Sequence, residues 1–252
     1  MNLRLIRNAT MVVEFAGKRF LIDPFFAEKE SMPPFPNTPN QDRANPLVGL
    51  PIAVEDVIDV DAVIVTHLHP DHFDEAAINA LPKEIKVFAQ NEKDAGTIRE
   101  KGFLNVEELR TTTLFEGIEL IKTSGQHGRG EITQFTGEVS GVVFKHPDKQ
   151  SLYIAGDSVW CAEVEAAIDT HQPEVIIVNG GAAHFLEGGP ITMASEDILA
   201  AHQAAPEAKV IVVHMESLNH CMLSRDELAG ILKEKKIEGN VLVPDDGEWI
   251  VV

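Results

Sequence analysis

One pattern recurs along the chain and restricts its fold more than any other: a short run rich in Val and Ile, followed by a stretch with helical spacing. Residues 61–65 precede 74–81, 85–89 precede 91–101, 151–155 precede 159–169, 174–178 precede 195–205, and 209–213 precede 224–236. Runs apolar on both faces are strands covered on both sides, so something must pack above and below them. The start of the chain differs. Leu3, Leu5, Met11 to Phe15 and Phe20 to Ile22 alternate around a turn at Ala16-Gly17-Lys18-Arg19, which predicts an antiparallel beginning. Residues 113–123 and 138–144 are strand-like and β-branched, with a hairpin turn at His146-Pro147-Asp148-Lys149, and strand returns at Leu242 and 249–252. Two sheets packed face to face with helices outside satisfy all of these faces, an α/β (α+β) architecture. The last helix opens with Ser224-Arg225-Asp226-Glu227, the spacing of a capping box.

Prolines at 24, 33, 34, 36, 39, 46 and 51 deny the backbone both helix and ladder, so residues 24–51 are expected to form a long surface loop. No low-complexity tract or linker divides the rest, and a single domain over 1–252 is expected. With 252 residues, 44% of them hydrophobic, the chain can bury a large core, which excludes disorder as its main state. A net charge of −19 repels a phosphodiester backbone, so no nucleic acid is expected as a partner. Only Cys161 and Cys221 are present; they read as buried thiols in a reducing, cytoplasmic setting. Charges interrupt the apolar residues of Met1 to Asn8 before a signal-peptide core can form. No apolar run approaches the roughly 18 residues of a membrane span, so no membrane partner is expected either.

Ten histidines against one tyrosine point to where the chemistry lies. Thr66-His67-Leu68-His69-Pro70-Asp71-His72 directly follows the strand Val63-Ile64-Val65. On an extended segment His67 and His69 leave the same side, and Pro70 turns the chain so that Asp71 and His72 swing back toward them. His127, Asp157 and His214 each follow or close another apolar run, and a sheet gathers such strand ends into one place. Imidazole and carboxylate suit zinc, manganese or iron rather than calcium. Seven donors exceed the need of one tetrahedral ion; they suit two ions about 3.5 to 4 Å apart that share a carboxylate and a hydroxide.

The run His67-x-His69-x-Asp71-His72 with His127, Asp157 and His214 in that order resembles the metallo-β-lactamase superfamily over nearly the whole chain. The resemblance implies the four-layer αββα sandwich. It also implies that His67, His69 and His127 hold one metal and Asp71, His72 and His214 the other, with Asp157 bridging. Arg7-Asn8-Ala9-Thr10, which departs from the signature at Arg7 and Asn8, and Leu21-Ile22-Asp23-Pro24 are similar to the signature segments Gly-His-Ala-Thr and Leu-Thr/Ile-Asp-Pro of the lactonase-like and phosphodiesterase-like branch, that of the ascorbate-6-phosphate lactonases. Asp23 is then expected to partner a ligand histidine.

Two divalent ions with Asp71 and Asp157 ionised and the histidines neutral leave a charge of roughly +2. Metal coordination lowers the pKa of water from about 15.7 to about 7, making a bridging hydroxide available as nucleophile. The expected activity is that of a dinuclear metal-dependent hydrolase, with zinc or manganese ahead of iron, acting on a small, anionic ester, lactone or phosphoester. Asp71 is the expected catalytic group, orienting the hydroxide or passing a proton to the leaving group. His184, in the glycine-rich loop after residue 178, and His220 and Arg225, downstream of His214, are candidates for substrate binding, Arg225 as the anion holder. His146, His171 and His202 read as solvated. An iron-dependent oxygenase or oxidoreductase and a non-catalytic metal-binding sensor are the alternatives, and a homo-oligomer is compatible with the sequence.

Overall fold

The computed structural model describes residues 1–252. It contains two seven-stranded mixed sheets. The first has the spatial order β14 (Trp249–Val251), β1 (Asn2–Arg7), β2 (Thr10–Phe15), β3 (Lys18–Ile22), β4 (Ala62–Val65), β5 (Lys86–Ala89) and β6 (Asn105–Glu108). The second runs β13 (Val241–Leu242), β12 (Lys209–Val213), β11 (Val175–Asn179), β10 (Lys149–Ile154), β9 (Ser140–His146), β8 (Ile118–Ser124) and β7 (Thr113–Phe115). Alternating runs form the antiparallel pairs β1–β2 and β2–β3, and the runs apolar on both faces form the parallel pairs β3–β4, β4–β5, β10–β11 and β11–β12.

The inner faces of the sheets meet in a core that includes Leu3, Leu5, Phe20 and Ile64 from the first and Phe144, Ile154, Ile177 and Ile211 from the second. Phe20 and Phe144 cross edge to face with ring centroids 5.1 Å apart. On the outer face of the first sheet lie α1 (Glu75–Ala80) and α2 (Glu92–Glu100), which bury Ala77, Ile78, Ala95 and Ile98 against Val63 and Val87. On the other outer face α4 (Ala162–His171), α5 (Ser195–Ala204) and α6 (Arg225–Lys235) bury Val164, Ile198 and Leu228 against Ile176 and Val210. A short helix α3 (Thr133–Thr136) stands between β8 and β9. The layers are helix, sheet, sheet, helix, as the strand and helix faces require.

Several local expectations shift. Residues 113–123 are two strands, broken by a turn in which Glu116 and Gly117 take φ values of +52° and +84°. The helix expected from 159 begins at Ala162, because the Val159 amide donates instead to the Gln126 carbonyl at 2.9 Å. β6 was not legible: Asn105-Val106-Glu107-Glu108 is a polar edge strand without an apolar period. At the α6 N-cap, Ser224 Oγ accepts from the Glu227 amide at 3.2 Å, one half of the expected box.

The 24–51 segment lies outside regular helix and sheet as expected, but it is pinned rather than loose. Met32 and Asn45 exchange amide-to-carbonyl bonds of 2.7 Å. The buried Asn219 side chain accepts from the Phe35 amide and from Asn45 Nδ2, and donates to Thr38 Oγ1 and to the Pro39 carbonyl. Arg7, fully buried, gives its guanidinium to the carbonyls of Phe25, Ala27 and Val48 and lies over the Phe25 ring. Burial lowers its pKa to about 10, opposed by the charges of Asp74 and Asp246.

Candidate metal centre

All seven sequence-selected donors converge at one end of the sandwich. β4 ends two residues before His67, β8 three before His127, β10 three before Asp157, and β12 delivers His214 directly. The donors fall into two groups able to hold a metal ion: His67, His69 and His127; and Asp71, His72, Asp157 and His214. Within each group the ligand atoms lie within 4.8 Å of one another. Six of the seven are buried, and His69 is half-buried at the opening.

Asp157 Oδ2 joins the groups. It lies 3.2 Å from His72 Nε2, 3.5 Å from His127 Nε2, 3.6 Å from His214 Nε2 and 3.9 Å from His67 Nε2, while Oδ1 is fixed by Asn179 Nδ2 at 2.6 Å. The chain reaches this position through Gly156, whose φ of +69° and closeness to the Ser140 carbonyl leave no room for a side chain. Asp71 Oδ2 sits 3.1 Å from His214 Nε2 and 3.5 Å from His72 Nε2.

The imidazoles are oriented from behind, which fixes the nitrogen each presents. His72 Nδ1 bonds to Asp23 Oδ2 at 2.9 Å, His127 Nδ1 to the Ile191 carbonyl at 2.8 Å, and His67 Nδ1 faces Thr66 Oγ1 at 3.2 Å. Asp23 also accepts from the Thr66 amide and hydroxyl, each at 2.7 Å, so it partners a histidine of the cluster as expected. His72 Nε2 is left buried with no aligned hydrogen-bond partner.

Two residues to which the sequence assigned no role at the centre complete this arrangement. Asn8, in the left-handed region at φ +58°, donates through Nδ2 to the Asp71 carbonyl at 3.1 Å, and its own carbonyl accepts from the His214 amide at 2.8 Å. Asn179 holds Asp157. No spacing rule announces either. Gly181 packs against the His214 carbonyl and Cys221 Sγ, so this glycine serves a close approach to protein.

The electrostatics are those of a site built around positive charge. Burial opposes ionisation of Asp71 and Asp157, yet the surrounding histidines hold both below the usual carboxylate range. Burial pushes His67 well down and His127 to about 4, leaving neutral imidazoles with a lone pair to give. Burial pulls the other way on His72 and His214 too, but the carboxylates outweigh it, raising His72 to about 10. The two carboxylates thus favour a positive charge at this position.

Residues 18–215 match the family model of the beta-lactamase superfamily domain. The chain belongs to this superfamily. It is 56% identical over 250 residues to the UPF0173 protein YddR of Bacillus subtilis (strain 168), with 98% of each chain covered. Among solved structures it is similar to the isothiocyanate hydrolase from Delia radicum gut bacteria, at 43% identity and a TM-score of 0.96, covering 100% of this chain and 99% of that one. A protein of Veillonella parvula DSM 2008 superposes with a TM-score of 0.98 at 39% identity, with the same coverage. A Pyrococcus abyssi relative, 27% identical over 73% of this chain and 74% of its own, bears the name UPF0173 metal-dependent hydrolase. The protein is accordingly a metal-dependent hydrolase of the metallo-β-lactamase fold. No helix is long and apolar enough to cross a membrane.

Around this superfamily centre the remaining candidates separate. His220 is buried, stacks edge to face on Phe35 at 4.8 Å and leaves Nδ1 unpartnered; burial lowers its pKa to about 4, with Asp71, His214, Asp157 and His127 the charges that act on it. His184 is half-buried, with Nδ1 facing the Ala182 carbonyl at 3.0 Å and its amide donating to the His220 carbonyl. Arg225 is a correction. Its guanidinium is committed to Glu216 Oε2 at 2.7 Å, Asp246 Oδ1 at 2.6 Å and the Pro244 carbonyl at 2.9 Å, so it has no fork free for an anion. His202 is a second correction: it is buried on α5 rather than solvated. Cys161 and Cys221 are free and half-buried, with Cys221 Sγ 3.8 Å from His214 Nδ1.

Proposed function

We propose that the protein is a dinuclear hydrolase in which His67, His69 and His127 hold one divalent ion, Asp71, His72 and His214 hold the other, and Asp157 bridges them. The observation that carries this reading is the position of Asp157 Oδ2, between 3.2 and 3.9 Å from four imidazole nitrogens drawn from both groups. The buried His72 Nε2, which makes no aligned hydrogen bond although Asp157 Oδ2 lies 3.2 Å away, fits a metal as its partner. The donor set, imidazole and carboxylate without thiolate, suits zinc or manganese, with iron next. Bound ions would supply an acidified water as nucleophile and Lewis-acid polarisation of the substrate.

The chain's own groups then have distinct tasks. Asp71, held ionised by its histidine neighbours, accepts a proton rather than bringing one, and can pass it to a leaving group. Asp23, Asn179 and the Ile191 carbonyl keep the nitrogens and oxygens of the site aimed at its centre. His220 and His184 stand beside it as substrate contacts.

For the substrate, the commitment of Arg7 and Arg225 to protein partners favours a small neutral electrophile over the anionic class. Arg7 is spent on backbone carbonyls and Arg225 on Glu216, Asp246 and the Pro244 carbonyl, whereas Arg129, half-exposed two residues beyond His127, is bonded through Nη2 alone, to Asp197 and the Trp160 carbonyl. The isothiocyanate hydrolase relative makes the central carbon of an N=C=S group the first target to test. Small anionic esters, lactones and phosphoesters are the second reading, favoured by the roughly +2 that two ions would retain beside two carboxylates.

Elemental analysis joined to a substrate panel tests both parts. Two equivalents of zinc or manganese and turnover of isothiocyanates are expected; a protein that binds no metal after reconstitution refutes the reading. One loaded with iron and inert toward every hydrolysable substrate points to the oxygenase chemistry instead.

A further inference from the structure

Three loops meet on the His127 side of the centre and leave an apolar cavity against Ile132, whose side chain packs on the residue after His127. After His127, the Ile132 side chain packs so closely on Gly128 that a Cβ there would fall 2.5 Å from it, and Thr136 Oγ1 donates to the His127 carbonyl at 2.7 Å. The 180–193 loop is tied in by the bond between Ile191 and His127, and Gly188 rests on Ile132. The 24–51 segment joins through the Asn37 carbonyl, which accepts from the Leu186 amide at 2.8 Å. Between them lies a cavity of about 460 Å³ lined by Asn37, Ile132, Phe135, Phe185, Leu186 and Glu187.

Its composition is unusual for a protein with a formal charge of −19, because Phe135 and Leu186 leave 80% and 69% of their surface to solvent. Large apolar side chains left exposed around a cavity mark a surface kept apolar for a guest. Glu187 is the one ionisable group in the lining, so the guest's matching part is not an anion. A different cavity, about 640 Å³, is larger and, like this one, is bordered by none of the seven donors, but its lining carries four charged residues, Glu28, Asp74, Glu75 and Lys101, against one here.

We propose that the 460 Å³ cavity is the side-chain subsite of the enzyme, taking the uncharged aryl or alkyl group of a small electrophile whose reacting carbon lies at the metal centre. This rests on the hydrolase reading above and narrows its substrate class. Phe185, one residue beyond His184, and Phe135, one residue before Thr136, are the specificity-determining residues. Leu186 closes the rim. A phenyl or short alkyl chain fits the volume with room to spare, whereas a carboxylated ring would meet Glu187.

The test compares kcat/KM for 2-phenylethyl and methyl isothiocyanate on the metal-loaded protein, with saturation-transfer NMR of 2-phenylethanol as a readout independent of turnover. The wild type is expected to prefer the phenylethyl compound by about tenfold or more. Phe185→Ala, Phe135→Ala and Leu186→Glu are each expected to cut that ratio severalfold and to weaken 2-phenylethanol binding; Leu186→Glu changes an exposed position and leaves the core intact. If isothiocyanates are hydrolysed but all three variants keep the wild-type ratio and alcohol affinity, the subsite is wrong and the hydrolase reading stands. If no isothiocyanate is turned over yet the alcohol binds and the variants lose it, the subsite stands and the isothiocyanate assignment falls. A change in oligomeric mass on gel filtration without a change in the ratio would give the patch to a second copy of the chain and overturn the proposal.

Discussion

Replacing Asp23 by asparagine tests whether the centre depends on its outer partners. Asp23 is buried and takes φ +44°, a conformation asparagine tolerates better than other residues, so the backbone is kept. In the native side chain Oδ1 accepts from the Thr66 amide, and Oδ2 accepts from the Thr66 hydroxyl at 2.7 Å and His72 Nδ1 at 2.9 Å. An amide whose oxygen keeps the Thr66 amide turns its NH₂ toward the other two groups. The Thr66 hydroxyl can rotate to accept; His72 can accept only by moving its proton from Nδ1 to Nε2, the nitrogen that faces Asp157. Loss of such a partner costs about 10- to 100-fold in metal affinity, equivalent to about 1.4 to 2.7 kcal/mol. Chelator-competition titration with Zn²⁺ measures it site by site. Asp23→Asn is expected to weaken the Asp71, His72 and His214 site by that factor and to leave the His67, His69 and His127 site within about threefold of wild type. Two unweakened sites in a protein with native circular dichroism would refute the argument that Asp23 fixes the His72 tautomer.

Three further outcomes are expected. Removing metal with a chelator leaves Asp71 and Asp157 without their cation, and at metal concentrations about 1,000 times Kd the loss is about 4 kcal/mol of stability, readable as a fall in Tm that added Zn²⁺ restores; an unchanged Tm argues against bound ions. Arg225→Met is expected to cost about 2 kcal/mol in urea denaturation by stranding Glu216 and Asp246, while KM for small anionic esters stays put; a large rise in KM would restore the anion-holding role. His220 has a folded-state pKa of about 4 against an unfolded value of 6.5, so its contribution is present above pH 6.5 and lost as pH falls toward 4. In the metal-free protein the wild type should therefore lose up to about 3 kcal/mol more than His220→Gln over that window, and parallel pH-stability curves would contradict the burial argument.

The element order was legible wherever a face is buried, because burial imposes a short-range period on the sequence. The runs at 61–65, 174–178 and 209–213 appear as β4, β11 and β12 nearly residue for residue. Where no face is buried the period vanishes, and β6 went unread. The metal-ligand candidates were legible for a related reason: strand ends are local features, and four of the seven donors lie within residues 67–72. Arg225 was misread because a sequence shows a guanidinium but not the two carboxylates, Glu216 and Asp246, that fold around it.

By itself, then, the sequence determined the alternation of strands and helices, the stacking of two sheets and the identity of the candidate donors. These follow from periodicity and from chemistry carried by neighbouring residues. The tertiary structure alone decided which groups stand behind the donors and which loops line the cavity. His214 meets Asp71 across 143 positions, and Asn179 meets Asp157 across 22. Leu186 reaches Asn37, and Asn8 reaches both Asp71 and His214. Such pairings leave no trace in local spacing, because a hydrogen bond or a cavity wall depends on where the folded sheets bring two segments and not on what either segment looks like alone.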